Sequence, residues 1–203
     1  GGKMTVSIAL FDLGHVVLDW EPSRLYTKIF DDAAARDHFL GEICTMDWHT
    51  RHDAGVSFAD NAAALIAKHP QYETEIRAWG SRWMEMFDGY VDGTPDLIAR
   101  LDARGIPLYA LSNMPSATWP DMVTHFDILQ RFRHVVVSGD LKRVKPDPAI
   151  YHHTLKVMGD PAPETVLFID DSLKNIEAAD ALGFTTHHFT GAAGLEAALE
   201  AHG

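Results

Sequence analysis

The chain has 203 residues, 46% of them hydrophobic, which supports one substantial core with a smaller satellite and rules out a disordered or fibrous chain. A formal charge of −12, with nothing more basic than "LKRVK" at 141–145, speaks against nucleic-acid binding, and no run of 18 apolar residues offers a membrane span. The single cysteine, Cys44, excludes an internal disulfide and makes a reducing cytoplasm the expected location. Gly1 to Lys3 precede Met4 and read as an expression remnant. The net acidity has one consequence for chemistry. A phosphate substrate would need a bound cation and a well-placed lysine to overcome the general repulsion.

In chain order, the first element is the apolar run "VSIALF" (6–11), read as a strand that ends on Asp12. Leu18 to Tyr90 then break into a region with no convincing strand. Three- and four-residue apolar spacing predicts helices over 23–30, 33–43, 58–69 and 73–87, with Trp79, Trp83, Met84 and Phe87 as a packing stripe. Between them, "MDWHTRHDAGVSF" (46–58) reads as a loop that reaches back to a site, with Gly55 as a turn. Trp48, His49, Arg51 and His52 are placed to meet an organic group, and Trp20 either lines the cavity mouth or staples the helices.

After residue 90 the pattern becomes regular. Strands are expected at "IPLYALS" (106–112), "HVVVSG" (134–139), "TVLFID" (165–170) and, more weakly, "FTTHHF" (184–189). Helices fall at 94–105, with Thr94 as N-cap, Pro95 at the first position and Gly105 as the stop, and at 172–183. Strands alternating with helices predict an α/β fold, a Rossmann-like parallel sheet core formed by residues 4–17 and 91–203 with an inserted all-helical cap over 18–90.

In such a sheet, ligands bind beyond the carboxyl ends of the strands. There the chain places Asp12, then Ser112-Asn113, then Lys145 in "VKPDP", then Asp170-Asp171. Singly, each has an ordinary explanation: a turn cap, a strand exit, a Pro-containing turn, a helix N-cap. Together they put three acids and one ammonium at one edge. Acids so gathered repel one another unless a cation sits among them, and hard oxygen donors suit Mg²⁺.

Taken in order, "FDLGHV", "LSN", "KPDP" and "FIDDS" resemble the four motifs of the haloacid dehalogenase-like hydrolase superfamily, and the insertion resembles the helical cap of one branch. The finer pattern, "FDLGHVVLDW", "HDAGVS", "LSN" and "KPDPAIYHH", is similar to the bacterial α-D-glucose-1-phosphate phosphatase-like group. The resemblance implies that Asp12 is a nucleophile forming an aspartyl-phosphate. It implies that Ser112 and the Asn113 amide hold phosphoryl oxygens, that Lys145 bridges nucleophile and phosphoryl group, and that Asp12, the Gly14 carbonyl, Asp170 and Asp171 surround Mg²⁺. Trp48 and His52 are then candidate substrate contacts. The expected activity is a Mg²⁺-dependent phosphatase of a small phosphorylated metabolite, a sugar phosphate among the candidates, acting as a monomer or homodimer.

One position departs from the pattern. Most phosphatases of this superfamily carry a second aspartate two residues after the nucleophile, and this chain has Gly14. Three answers stay open. His15, with an imidazole suited to proton transfer near neutrality, takes over, with Asp19 further off. Or the leaving group is good enough to need less help, as an anomeric oxygen is. Or the protein is a 2-haloacid dehalogenase or a non-catalytic phosphate-binding relative. The paired acids Asp170-Asp171 argue against a dehalogenase, which needs no Mg²⁺.

Overall fold

The computed structural model describes residues 5–203. Met4, the expected start of the core, and residues 1–3 lie outside them. Among the described residues there are seven strands: β1 (Ile8–Phe11), β2 (Leu18–Trp20), β3 (Phe87–Tyr90), β4 (Leu108–Ser112), β5 (His134–Val137), β6 (Val166–Asp170) and β7 (Thr185–His188). Five form one parallel sheet in the order β5-β4-β1-β6-β7. The strands read as near-continuous apolar runs because helices cover both faces, and β6 is buried along its whole length. Successive side chains point to opposite faces. Leu10 and Phe168 therefore join one core cluster with Tyr151 and Ile176, while Phe11 and Ile169 join the other, which continues into the cap.

β1 lies between β4 and β6, so the chain leaves it to one side and returns on the other. The crevice at such a switch point is where an α/β sheet offers a site. The helices that cover the sheet include Thr94–Ala103, Pro148–Val157, Leu173–Ala181 and Ala192–Ala201. Thr94 is the first helical residue rather than the cap. Gly93, at φ 81°, takes the cap position because the chain arrives there in a left-handed turn, and Pro95 sits in the first turn.

Four helices, Pro22–Ile29, Ala33–His38, Phe58–Lys68 and Glu73–Ser81, build most of the insertion. The structure differs from expectation in three places. The second predicted helix passes at Phe39 into a π-helical turn, Phe39–Ile43. The last stops at Ser81, a short 3₁₀ turn follows, and Phe87–Tyr90 is strand. That strand pairs antiparallel with β2, with Leu18 opposite Tyr90 and Trp20 opposite Phe87. A two-stranded ribbon thus joins the cap to the sheet domain. Residues 46–53 are not loop but helix (Met46–Asp53), because Thr45 caps them by accepting the Trp48 N–H at 3.1 Å. Trp79 and Trp83 are buried, and Met84 and Phe87 pack partly buried against the same core.

Candidate active site

The carboxyl ends of β1, β4 and β6 carry Asp12, Ser112 and Asp170. Asp12 prolongs the ladder, its N–H donating to the Ile169 carbonyl at 2.9 Å. Its Oδ1 accepts the Leu13 N–H at 2.9 Å and the Lys145 ammonium at 3.0 Å, while Oδ2 has no hydrogen bond among the described residues. The anchored oxygen fixes the carboxylate and leaves the other available.

Lys145 comes from the loop after β5 and is 3% exposed. Its Nζ donates to Asp12 Oδ1 at 3.0 Å, to Asp170 Oδ2 at 2.8 Å and to the Leu111 carbonyl at 3.0 Å. All three ammonium protons are therefore used, and the head group has a single position. The loop is pinned by Asn113. Its side-chain amide donates to the Lys145 carbonyl at 3.2 Å, and its carbonyl oxygen accepts the Lys145 N–H at 2.9 Å. "KPDP" explains the rest of the approach: Asp147 caps the helix that begins at Pro148, accepting the Ala149 N–H.

Asp170 is fully buried, and its oxygens accept from Lys145, from Asn175 Nδ2 at 3.2 Å and from the Ser172 N–H at 2.8 Å. It is Asp170, not Asp171, whose carboxylate satisfies the turn before the helix Leu173–Ala181. Asp171 is left open toward the site. Carboxylate oxygens of Asp12, Asp170 and Asp171 lie within 4.8 Å of one another.

Three carboxylates face one ammonium, so with all of them ionised the cluster would carry an uncompensated double negative charge. The titration behaviour follows. Burial pushes the Asp12 carboxyl well above its ordinary value; Lys145 opposes this, and Asp170 and Asp171 add to it. Burial works against the Lys145 charge, yet Asp12 and Asp170 outweigh it and hold its pKa above the usual one. A divalent cation held by hard oxygens cancels the excess charge, so the donor set fits Mg²⁺. Asp12, Asp170 and Asp171 are the side chains that would hold it, with the Gly14 carbonyl in the adjoining loop.

A cavity opens beside this cluster. Gly14, Ser112 and Asn113 line its floor, and Trp20, His49 and Trp83 line its cap side. Ser112 makes no side-chain hydrogen bond among the described residues, which leaves its hydroxyl free for a ligand. His49 is the one titratable side chain in the lining. The Trp79 indole N–H, a donor only, points at its Nδ1 from 3.1 Å, so the neutral ring carries its proton on Nε2. Burial, then neighbouring His52, lowers the His49 pKa to about 3, and the ring is neutral at physiological pH. Nε2 faces Asp53 Oδ1 at 3.5 Å, too long for a hydrogen bond, and that oxygen has no partner among the described residues.

The structure does not bring every expected residue to the cavity. Trp48 and His52 do not line the cavity; they lie on the face of their helix next to His49, inside the cap, with His52 Nδ1 3.3 Å from His49 Nδ1. The Trp48 indole donates to the Asn61 carbonyl at 3.1 Å, and His52 Nε2 lies 3.0 Å from Asn61 Nδ2. They hold two cap helices together. Arg51 is exposed. His15 is exposed as well and faces a different cavity that Trp20 also borders. Asp19 is paired with Arg24 at 2.8 Å. Trp83, Phe87, Met114 and Met122, which do line the cavity, had appeared in the sequence only as packing residues or not at all. A helical apolar position reads the same whether it faces a core or a ligand.

The family profile of haloacid dehalogenase-like hydrolases matches residues 6–183. The sesquiterpene phosphatase astK of Aspergillus oryzae is 26% identical over 192 residues, covering 92% of this chain and 91% of its own. A (S)-2-haloacid dehalogenase of Pseudomonas putida is 31% identical over 102 residues, covering 48% of this chain and 44% of its own. Among solved structures, the HAD family enzyme bt-2542 of Bacteroides thetaiotaomicron, in complex with magnesium and inorganic phosphate, superposes with a TM-score of 0.70 at 22% identity, covering 92% of this chain and 95% of that one. No helix among the described residues is long and apolar enough to cross a membrane.

Proposed function

Since the chain belongs to the haloacid dehalogenase-like hydrolases, we propose that it is a Mg²⁺-dependent phosphatase of a small phosphate monoester. The observation that carries this reading is the Lys145 ammonium held between Asp12 and Asp170 in a cluster of three carboxylates. Phosphoryl transfer asks for alignment and charge neutralisation more than for covalent chemistry by the protein.

Asp12 attacks phosphorus. A new P–O bond forms to the carboxylate as the ester P–O bond breaks, and the leaving oxygen takes a proton from water. A second water then attacks phosphorus and releases phosphate and the free carboxylate. Lys145 offsets the charge between nucleophile and phosphoryl oxygens, and Ser112 with the Asn113 amide orients those oxygens. Mg²⁺, when bound, neutralises the oxygens around Asp12. The sugar-phosphate expectation draws on the resemblance and on Gly14, since an anomeric oxygen leaves with less protonation. The known phosphatase activity of the Aspergillus relative supports the reaction class.

Gly14 and the apolar cavity also favour a dehalogenase, because a halide departs without a proton. The acid pair Asp170-Asp171 weighs against it. The test measures phosphate release from a panel of phosphomonoesters with and without Mg²⁺, alongside halide release from 2-haloacids. Mg²⁺-dependent phosphate release is expected; halide release alone reverses the assignment.

A further inference from the structure

Beyond Gly14, Ser112 and Asn113, the cavity wall is made of His49 and the apolar side chains of Leu13, Leu18, Trp20, Trp83, Phe87, Met114 and Met122. No Asp, Glu, Lys or Arg side chain lines it, and its one imidazole is neutral. A sugar brings several hydroxyl groups that lose water on entering such a space, and each left without a partner weakens binding. The wall offers few partners. The indole N–H groups of Trp20 and Trp83 are buried and have no acceptor among the described residues. Neither indole N–H is exposed in the cavity, and the His49 Nε2–H, the remaining donor of the cap side, faces Asp53.

Size points the same way. The cavity holds about 60 Å³. A second cavity of about 280 Å³ also borders Trp20; its other lining residues are His15, Glu21, Pro22, Leu40, Cys44, Met46 and Trp79. Met46, at its edge, is 51% exposed. Trp20 is the residue common to both linings. It stands on the ribbon between the domains, with its ring 5.1 Å from His49 and 5.4 Å from Trp83.

We propose that the organic group of the substrate is short and apolar, seated against Trp20, Trp83 and Met122, and that the Trp20 indole sets its maximum length by closing off the larger, mainly apolar cavity that it also borders. The inference rests on the phosphatase reading for its chemistry, but the wall can be probed without turnover.

The experiment compares n-butyl phosphate, n-octyl phosphate and glucose 6-phosphate on the full chain with Mg²⁺. All three are esters of primary alcohols, so leaving-group differences are small. For the native protein, kcat/KM is expected to be about tenfold or more higher for butyl phosphate than for either of the others. Trp20→Ala, which opens the partition, is expected to raise the octyl-to-butyl ratio about tenfold or more, mainly through KM. Trp20→Leu reads the same ratio should the alanine variant not fold. In parallel, binding of butyl- and octylphosphonate, which cannot be hydrolysed at a P–O ester bond, is followed by tryptophan fluorescence. If nothing is hydrolysed but the phosphonates bind in this order and the order shifts at Trp20→Ala, the phosphatase reading falls and the wall assignment stands. Preference for glucose 6-phosphate overturns the inference. So does an octyl-to-butyl ratio unmoved in both Trp20 variants, or the absence of phosphonate binding to a protein that turns nothing over.

Discussion

Asn113 and Lys145 exchange two hydrogen bonds, side-chain amide to backbone carbonyl at 3.2 Å and backbone N–H to side-chain oxygen at 2.9 Å, across 32 positions of sequence. The exchange fixes the loop after β5 against the end of β4 and aims the Lys145 ammonium at Asp12. Removing it leaves Lys145 in place chemically but not geometrically. Misplacement of a reacting group by about 1 Å costs on the order of 10²-fold. Asn113→Ala is therefore expected to lower kcat by about 10- to 100-fold, and Asn113→Asp, which keeps the acceptor, by less. Steady-state kinetics beside a thermal melt check this; equal kcat in all three proteins removes the positioning role.

Asp12 and Lys145 separate chemistry from stability. Asp12→Asn keeps the shape and one acceptor oxygen but removes the nucleophile, so turnover is expected to vanish while the melting temperature holds or rises. Lys145→Met removes the single ammonium from three carboxylates. Breaking a buried pair from one side typically destabilises by about 3–5 kcal/mol. A lower melting temperature that recovers in part on adding Mg²⁺ is expected, and calorimetry with and without the ion reads it. Loss of activity with no change in melting and no response to Mg²⁺ would count against the charge argument.

Asp53 gives stability a pH dependence distinct from the catalytic cluster. Burial, opposed by Lys145, pushes its pKa from 3.8 up to about 7. Between these values the folded protein holds a proton that the unfolded chain releases, so this group lowers stability as pH rises. The penalty is full above pH 7 and gone below about 4; the gap corresponds to roughly 4 kcal/mol. His49 and His52, lowered by burial to about 3 and about 4, act in the opposite sense, losing stability as pH falls below 6.5. Asp53→Asn removes only the first contribution. It is expected to raise the melting temperature at pH 8 and to converge on the native value near pH 4.

His15 is held at φ 65°, a left-handed conformation that suits glycine, and it lines the second cavity that borders Trp20. His15→Gly is expected to add up to about 1 kcal/mol of stability and to leave the pH–rate profile in place. A pH–rate profile that changes shape in this variant would return the imidazole to proton transfer.

The strand ends were legible in the sequence because burial on both faces writes parallel strands as unbroken apolar runs, and the polar residue that ends each run stands out. Asp12, Ser112 and the Asp170-Asp171 pair were found that way, and Lys145 by the Pro-containing "VKPDP" loop beyond the third run. The cap was legible only as helix. β2 and β3 are three and four residues long, too short to show alternation, and "FDGY" contains two residues that disfavour strands. The helix Met46–Asp53 places Trp48 and His52 along one strip of its surface and His49 and Asp53 along the next, about 100° round, both at i, i+4 spacing. Periodicity shows that two faces exist. It does not show which of them meets the core and which meets the cavity, and so Trp48 and His52 were favoured over His49.

Gly14 is the most direct point of intervention. A Cβ built there meets nothing within 4 Å, and its φ lies outside the left-handed range, so a side chain fits without strain. The position lies two residues after Asp12 and lines the cavity floor. The wall offers no acid of its own, since His49 is neutral with its proton on Nε2 and facing Asp53. A carboxyl at 14 would therefore supply a proton donor and acceptor that this site lacks, an effect worth about 10²–10⁴-fold where it operates fully. Gly14→Asp is expected to raise kcat on alkyl phosphates, whose leaving groups need protonation, by about tenfold or more, and to leave aryl phosphates, which leave unaided, nearly unchanged. Gly14→Asn fills the same space without a titratable proton and is expected to give no gain. The same rate with aspartate and asparagine on both ester classes would mean that another group or solvent already performs the proton transfer.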